Sequence, residues 1–99
     1  MDVAIAEGLA SVFARELSGV AAPWDKYPEN VDEWVAELKA LPKDASKQEW
    51  IDTHPDGRRW IIYQAGVYLV EKAMKASGKN PASLVGTPTE TIIDLADGA

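Results

Sequence analysis

The segment from Arg58 to Ser77 constrains the fold more than any other part of the chain, because it is apolar around most of its girth. Its apolar positions are Trp60, Ile61, Ile62, Tyr63, Ala65, Gly66, Val67, Tyr68, Leu69, Val70, Ala73 and Met74. A helix that is apolar nearly all round is usually enclosed by other elements. The segment therefore predicts a helix at the centre of a domain, with Gly78 as its C-cap.

Helical spacing of apolar residues predicts two helices before this one. Apolar residues recur at helical spacing from Val3 to Leu17, and the helix is expected to end at Ser18-Gly19, because glycine readily adopts the left-handed conformation of a helix C-terminus. Asn30 followed by Glu33 matches a capping box, in which the Asn side chain accepts hydrogen bonds from the first backbone N–H groups of a helix. This helix is expected to end at Pro42.

Shorter signals complete the pattern. A short helix is predicted at about Ser46–Thr53, ahead of a strong turn at His54-Pro55-Asp56-Gly57. Asn80-Pro81 opens another turn, and Thr87-Pro88-Thr89-Glu90 matches a second capping box before a last helix that runs to about Ala96. Ile92, Ile93 and Leu95 are expected to face inward from this last helix.

The connector from Ala21 to Pro28 contains Pro23, Trp24 and Tyr27, and its prolines forbid regular pairing. It predicts an ordered loop over the core. No window alternates with the period of a strand. The sequence thus predicts an all-α fold: a compact bundle of four to five helices with an aromatic and proline-rich connector, forming one domain over residues 1–99.

Composition narrows the classes of function. Sixteen acidic residues against ten basic ones give a net charge of −6, which disfavours nucleic acid and anionic lipid as partners. The absence of cysteine excludes disulfides and thiolate metal sites. No apolar run approaches the ~20 residues of a membrane span, and Asp2 and Glu7 replace the positive charge of a signal peptide. A soluble chain, with the cytoplasm favoured, is expected.

The N-terminus leaves two alternatives open. Met1 leads directly into an apolar helical repeat without a preceding cap. It is either a natural start or a cut into a longer protein.

Several short motifs follow one another in an order that resembles a known family. They are Ile5-Ala6-Glu7-Gly8-Leu9-Ala10, Pro23-Trp24, Trp34, Tyr63-x-x-Gly66 and Pro88-Thr89-Glu90-Thr91-Ile92-Ile93. This order resembles the C-terminal part of a bacterial family of gluzincin-like, zinc-dependent peptidases. The resemblance implies that Glu7 corresponds to the third metal ligand. In such a peptidase, zinc-activated water attacks a peptide carbonyl.

The chain lacks the rest of that machinery. A His-Glu-x-x-His helix supplies two zinc ligands and the general base, whereas this sequence has one histidine, His54. Because a catalytic zinc needs about three protein ligands, zinc is expected only if such a helix comes from elsewhere, and the chain alone is expected to be non-catalytic. Tyr63 and Tyr68 are candidate substrate-binding residues. The alternative is helix packing, in which the small Gly66 on the same face lets a neighbouring helix pack closely.

Other interpretations belong to different classes. Trp24, Trp34, Trp50 and Trp60 favour either a core or an aromatic groove. With the acidic surface, such a groove predicts a stand-alone interaction module for a basic peptide or protein. If an upstream partner is missing, the Val3–Leu17 helix is the expected surface for self-association, because its apolar face is then uncovered. A helical small-molecule binder with a pocket beneath Gly66 is the third alternative. His54 with Asp52 or Asp56 matches a turn better than a general base.

Overall fold

The computed structural model describes residues 2–20, 27–41 and 48–98. These residues form the helices α1 (Asp2–Ser18), α2 (Val31–Ala40), α3 (Gln48–Ile51), α4 (Ile61–Ser77), α5 (Pro81–Leu84) and α6 (Thr89–Asp97). Extended pairing within the described ranges is limited to one isolated bridge between Thr53 and Arg59. The all-α prediction is confirmed. Pro23 and Trp24, and the start of the short helix predicted at Ser46, lie outside the described residues.

Helix α4 lies at the centre and contacts each of the other five helices, α1 and α6 most extensively. Its buried residues are Ile61, Ile62, Ala65, Gly66, Val67, Leu69, Val70 and Ala73. They pack with Leu84 of α5 and with Ile92 of α6, both fully buried. The central position predicted from the apolar girth of this helix is therefore correct.

Two glycines let α1 and α4 cross with their backbones in contact. A Cβ atom on Gly8 would lie 2.9 Å from the Cα of Gly66. A Cβ atom on Gly66 would lie 2.9 Å from the carbonyl carbon of Ala4 and 3.1 Å from the backbone nitrogen of Gly8. The close packing predicted at Gly66 is confirmed, and the alternative of a ligand pocket beneath this residue is wrong because the backbone of α1 fills that space.

The two long parallel helices end where the sequence predicts. The backbone N–H of Gly19 donates to Arg15 O at 2.8 Å, and that of Gly78 donates to Met74 O at the same distance. Both glycines have φ of +71°, the left-handed conformation that L-residues adopt at a cost.

The predicted capping boxes are wrong. Asn30 precedes α2 but makes no side-chain cap bond; instead its side-chain amide donates to the Glu33 carboxylate at 3.1 Å. At α6 the N-cap is Pro88, again without a side-chain bond, rather than Thr87. The side-chain cap occurs instead at α5, where Asn80 Oδ1 accepts the Ser83 N–H at 2.9 Å.

Helix α4 begins at Ile61, three residues later than Arg58, because backbone hydrogen bonds hold the preceding residues in a tight hairpin. The His54 N–H donates to Arg58 O at 2.8 Å and the Trp60 N–H donates to Asp52 O at 2.9 Å. Trp60 then turns the chain into the helix with φ of 55°. The turn predicted at His54–Gly57 is confirmed by a 2.9 Å hydrogen bond from the Gly57 N–H to His54 O.

Candidate functional site

Helix α1 is apolar on both of its faces, which is unusual for a helix at the edge of a domain. Its inner face, formed by Ala4, Ile5, Gly8 and Val12, is buried against α4 and its neighbours. Its outer face consists of Ala6, Ala10, Phe13, Ala14 and Leu17, all of them exposed. Leu17 is 75% exposed, and Val20 extends the apolar surface past the helix end with 71% exposed. We call these outer residues, together with Val20, the outer face of α1.

The residues of the outer face follow a helix-packing repeat. Ala6, Ala10, Phe13 and Leu17 are separated by steps of four, three and four, the spacing of a coiled-coil seam. Their sizes are graded, because the alanines lie toward the N-terminus of α1 and the large side chains toward its C-terminus. A contiguous exposed apolar strip of this kind marks an interaction surface more often than an inert one.

Acidic residues flank the outer face. At about 100° per residue, Glu7 and Glu16 fall on opposite edges of it, and Glu7 is half-buried whereas Glu16 is exposed. Within the described residues, no group of three His, Asp or Glu side chains is placed to hold a metal ion. The described part of the chain therefore does not fit a zinc ion by itself, and Glu7 would have to act with ligands from outside it.

The two tyrosines singled out by sequence lie on different sides of α4, since five residues correspond to about 140° around a helix. The Tyr68 ring meets Tyr27 edge to face, with centroids 5.2 Å apart, and Lys72 Nζ lies 5.1 Å from its centroid. Burial raises the pKa of the Tyr27 phenol, and the nearby Glu71 carboxylate adds to this effect. Tyr63 is half-buried. The structure thus gives Tyr68 a packing role and does not bring the pair together.

Arg58 organises a second polar cluster, which we call the Arg58 clamp: Arg58, Glu37, Asp56, Trp34 and Trp50. The guanidinium donates from Nη1 and Nη2 to the two Glu37 carboxylate oxygens at 2.6 and 3.0 Å. Its Nε donates to Asp56 Oδ2 at 2.8 Å. Its Cζ lies 5.4 Å from the Trp34 ring centroid and 5.7 Å from that of Trp50. One side chain therefore ties α2, α3 and the hairpin together.

Two of the four tryptophans that the sequence proposed for an aromatic groove, Trp34 and Trp50, contact Arg58 instead. Trp50 is buried and Trp34 is half-buried, and the cation lies against both rings. His54 belongs to the same hairpin: its ring meets Trp50 at 4.7 Å, and its Nδ1 accepts the Asp56 N–H at 3.3 Å. No feature of the sequence indicated that Arg58 pairs with Glu37, because the twenty residues that separate them carry no local signal of it.

The hydrogen bonds of the clamp set the protonation of its members. The Arg58 guanidinium lowers the pKa of Asp56 to about 2 and lowers that of Glu37 below its ordinary value. Reciprocally, the two carboxylates raise the pKa of Arg58. All three groups are therefore charged at neutral pH, which is the arrangement of a structural ion-pair cluster rather than of a general base.

These features define an all-α domain with one apolar outer helix face and a closed charged clamp on a different part of its surface. Comparisons of the chain with models of known protein families, with curated proteins and with solved structures found no match. None of the helices formed by the described residues is long and apolar enough to cross a membrane.

Proposed function

We propose that this chain is a non-catalytic helical interaction domain, and that the outer face of α1 is the surface with which it binds another protein. One observation carries this proposal: between Ala6 and Leu17 every exposed residue of α1 except Glu16, at one edge, is apolar, while the other side of the helix is already buried in the core. Apolar side chains on both faces are typical of a helix that is buried on both faces. A helix with one face in water usually carries polar residues on that face.

The occupant that fits best is an amphipathic helix with basic flanks. The seam spacing of Ala6, Ala10, Phe13 and Leu17 suits a helix laid alongside α1. Glu7 and Glu16 border the seam, and the chain carries a net charge of −6, so lysine or arginine at the partner's flanking positions would be attracted. Large partner side chains would lie over Ala6 and Ala10, and small ones over Phe13 and Leu17.

A second copy of the chain fits less well, although an antiparallel pair of α1 helices would also set large side chains against small ones. Two copies would bring together two surfaces of the same negative sign, with no basic residue on the seam to offset the repulsion. Self-association through α1, which the sequence raised as an alternative, is for this reason ranked behind a basic partner.

A synthetic helix tests this proposal. We expect a three-heptad peptide with Leu and Ala at its seam and Lys at its flanks to bind the full chain, as measured by calorimetry. Replacing Leu17 with glutamine should weaken binding at least about ten-fold, because a buried leucine contributes about 1.5–3 kcal/mol. Affinity should also fall as salt is added, since the flanking contacts are screened.

The control substitution is Val85→Gln, since Val85 is likewise an exposed apolar residue, 63% exposed, but follows α5 and does not belong to α1. It should leave peptide binding unchanged, and a peptide with Glu flanks should bind poorly. Sedimentation of the chain alone, at concentrations up to millimolar, decides the alternative occupant. A dimer that Leu17→Gln abolishes would replace the basic partner with a second copy, and a monomer that binds neither peptide would refute the docking face altogether.

The peptidase resemblance supplies a more specific candidate for the partner, namely a helix that bears His-Glu-x-x-His. The observation that favours this candidate is the position of Glu7, which is half-buried at the edge of the outer face and so within reach of a helix seated there. In this version the chain contributes the third ligand to a zinc ion, and the seated helix contributes the other two.

Zinc titration by calorimetry tests this version. We expect zinc to bind an equimolar mixture of the chain and a synthetic His-Glu-x-x-His helix more tightly than it binds either component alone. Glu7→Gln should remove the additional affinity. Glu16→Gln, on the opposite flank, should retain it. Equal zinc binding by the helix alone and by the mixture would exclude the shared zinc site and leave the docking proposal untouched.

A further inference from the structure

The C-terminal turns of the parallel helices α1 and α4 enclose a shallow surface depression of about 730 Å³, with Tyr27 at its side. We call it the basic depression. The charged residues that line it are Arg15, Lys72, Lys75 and Lys79, together with Glu16 and Glu71.

Charge is unevenly distributed between this depression and the rest of the chain. Of the residues whose side chains the structure describes, four of the seven basic ones line it, but only two of the twelve acidic ones. These lining residues sum to a formal charge of +2, whereas the other three basic and ten acidic side chains that the structure describes sum to −7. The two helix C-termini contribute about −0.5 each, so the depression stays positive after the lysines have compensated the helix ends.

Most of the cationic groups in the depression have no carboxylate partner among the described residues. Arg15 is 3.6 Å from Glu71, a long ion pair. Lys72 lies over the face of the Tyr68 ring. The ammonium groups of Lys75 and Lys79 take part in none of the ion pairs formed within the described ranges. Three lysines thus surround one concavity with their hydrogen-bond donors available to an anion.

We infer that the basic depression binds a compact ligand that carries two or more phosphate groups. Several ammonium groups around one concavity suit phosphate oxygens, which accept charge-assisted hydrogen bonds. The ligand must be compact because the surface beyond the depression is strongly negative and repels an extended phosphate backbone. The same argument disfavours nucleic acid and anionic membranes. The depression includes none of the apolar residues of the outer face of α1, although Glu16 borders both.

Inorganic tripolyphosphate is the probe for this inference. Titrated into the full chain at low ionic strength, it should bind saturably and shift backbone amide resonances around Arg15 and residues 72–79. Lys75→Gln should weaken binding about five-fold, as expected for one partly exposed charge contact. Lys39→Gln is the matched control, because Lys39 is an exposed lysine that pairs with Asp97 on another part of the surface. It should change the affinity less than about two-fold.

Three results would overturn the inference. Equal weakening by the two lysine substitutions would mean that the probe responds to overall charge and not to this depression. Shifts that never saturate, at constant ionic strength, would mean screening by ions only. Duplex DNA that competes with tripolyphosphate at equal phosphate concentration would replace the compact ligand with an extended backbone.

Discussion

Replacing Gly66 with alanine is expected to destabilise the domain by about 3 kcal/mol, at the upper end of what overpacking of a core costs. The added Cβ would lie 2.9 Å from the carbonyl carbon of Ala4 and closer still to its oxygen. Neither neighbour can rotate away, because both belong to the backbone of α1. The helices must therefore separate, and this loss exceeds the gain in helix propensity of about 1 kcal/mol. Chemical denaturation measures the effect.

Gly8→Ala should have a similar effect, since its Cβ would meet the backbone of Gly66 from the opposite side of the same crossing. The matched control is Gly98→Ala, because a Cβ there would lie 3.5 Å from Asp94 O, an ordinary contact, and φ is −84°. This control should change the free energy of unfolding by less than about 0.5 kcal/mol. If Gly66→Ala were as stable as the control, the backbones of α1 and α4 would not be in contact at Gly66.

Replacing Arg58 with alanine is expected to lower the free energy of unfolding by about 2 kcal/mol, from charge-assisted hydrogen bonds and the two ring contacts together. The Arg58 side chain is 21% exposed, but its carboxylate partners are 44–45% exposed. Water therefore screens these ion pairs, and the expected loss is smaller than for a fully buried cluster. Arg58→Lys should recover less than half of this loss, because an ammonium group lacks the planar fork that reaches Glu37 and Asp56 together.

Arg59→Ala is the control for this loss, because it removes the same charge from the neighbouring residue. Arg59 is exposed and lies over Trp60, with its Cζ 4.3 Å from a ring centroid. A contact of that kind at an exposed site contributes about 0.5 kcal/mol. Equal losses from Arg58→Ala and Arg59→Ala would show that the clamp contributes nothing beyond the ring contact.

The clamp also makes stability depend on pH in a defined direction. The pKa of Asp56 falls from 3.8 to about 2 in the folded state, and the pKa of Glu37 falls below its ordinary 4.5. Depressed carboxylate pKa values stabilise the folded state fully above the unfolded-state values, and this contribution is lost as the pH falls through the folded-state values. The wild-type chain should therefore lose more stability than Arg58→Ala between pH 4.5 and 2. Parallel curves for the two proteins in acid denaturation would contradict this expectation.

Local sequence signals were sufficient to predict those features that depend on the residues of a single segment. The apolar girth of α4, the glycine stops at Gly19 and Gly78, and the turn at His54–Gly57 each depend on a few neighbouring residues, and each was confirmed. The capping boxes failed for an equally local reason. Asn30 and Glu33 stand at the expected spacing, but the Glu33 N–H that the Asn30 side chain would cap donates to Asn30 O at 3.0 Å and to Asp32 Oδ1 at 3.1 Å.

Local signals did not predict the contacts that join distant segments of the chain. Arg58 pairs with Glu37, twenty-one positions away, and no periodicity links the two. The apolar residues of α1 form one helical repeat in the sequence, yet Ala4, Ile5 and Val12 are buried while Phe13 and Leu17 are exposed. Only the position of α4 decides which side of α1 is inner and which is outer, and therefore where a docking face exists.

The sequence by itself determined the fold class, the central helix and the glycines at which backbones approach, because these follow from composition and short-range geometry. The tertiary structure alone decided that Gly8 meets Gly66, that Arg58 is enclosed by two tryptophans and two carboxylates, and that four of the basic residues gather at one depression. These arrangements depend on how whole helices are placed against one another, and packing of that kind is set by the complete core rather than by any one segment.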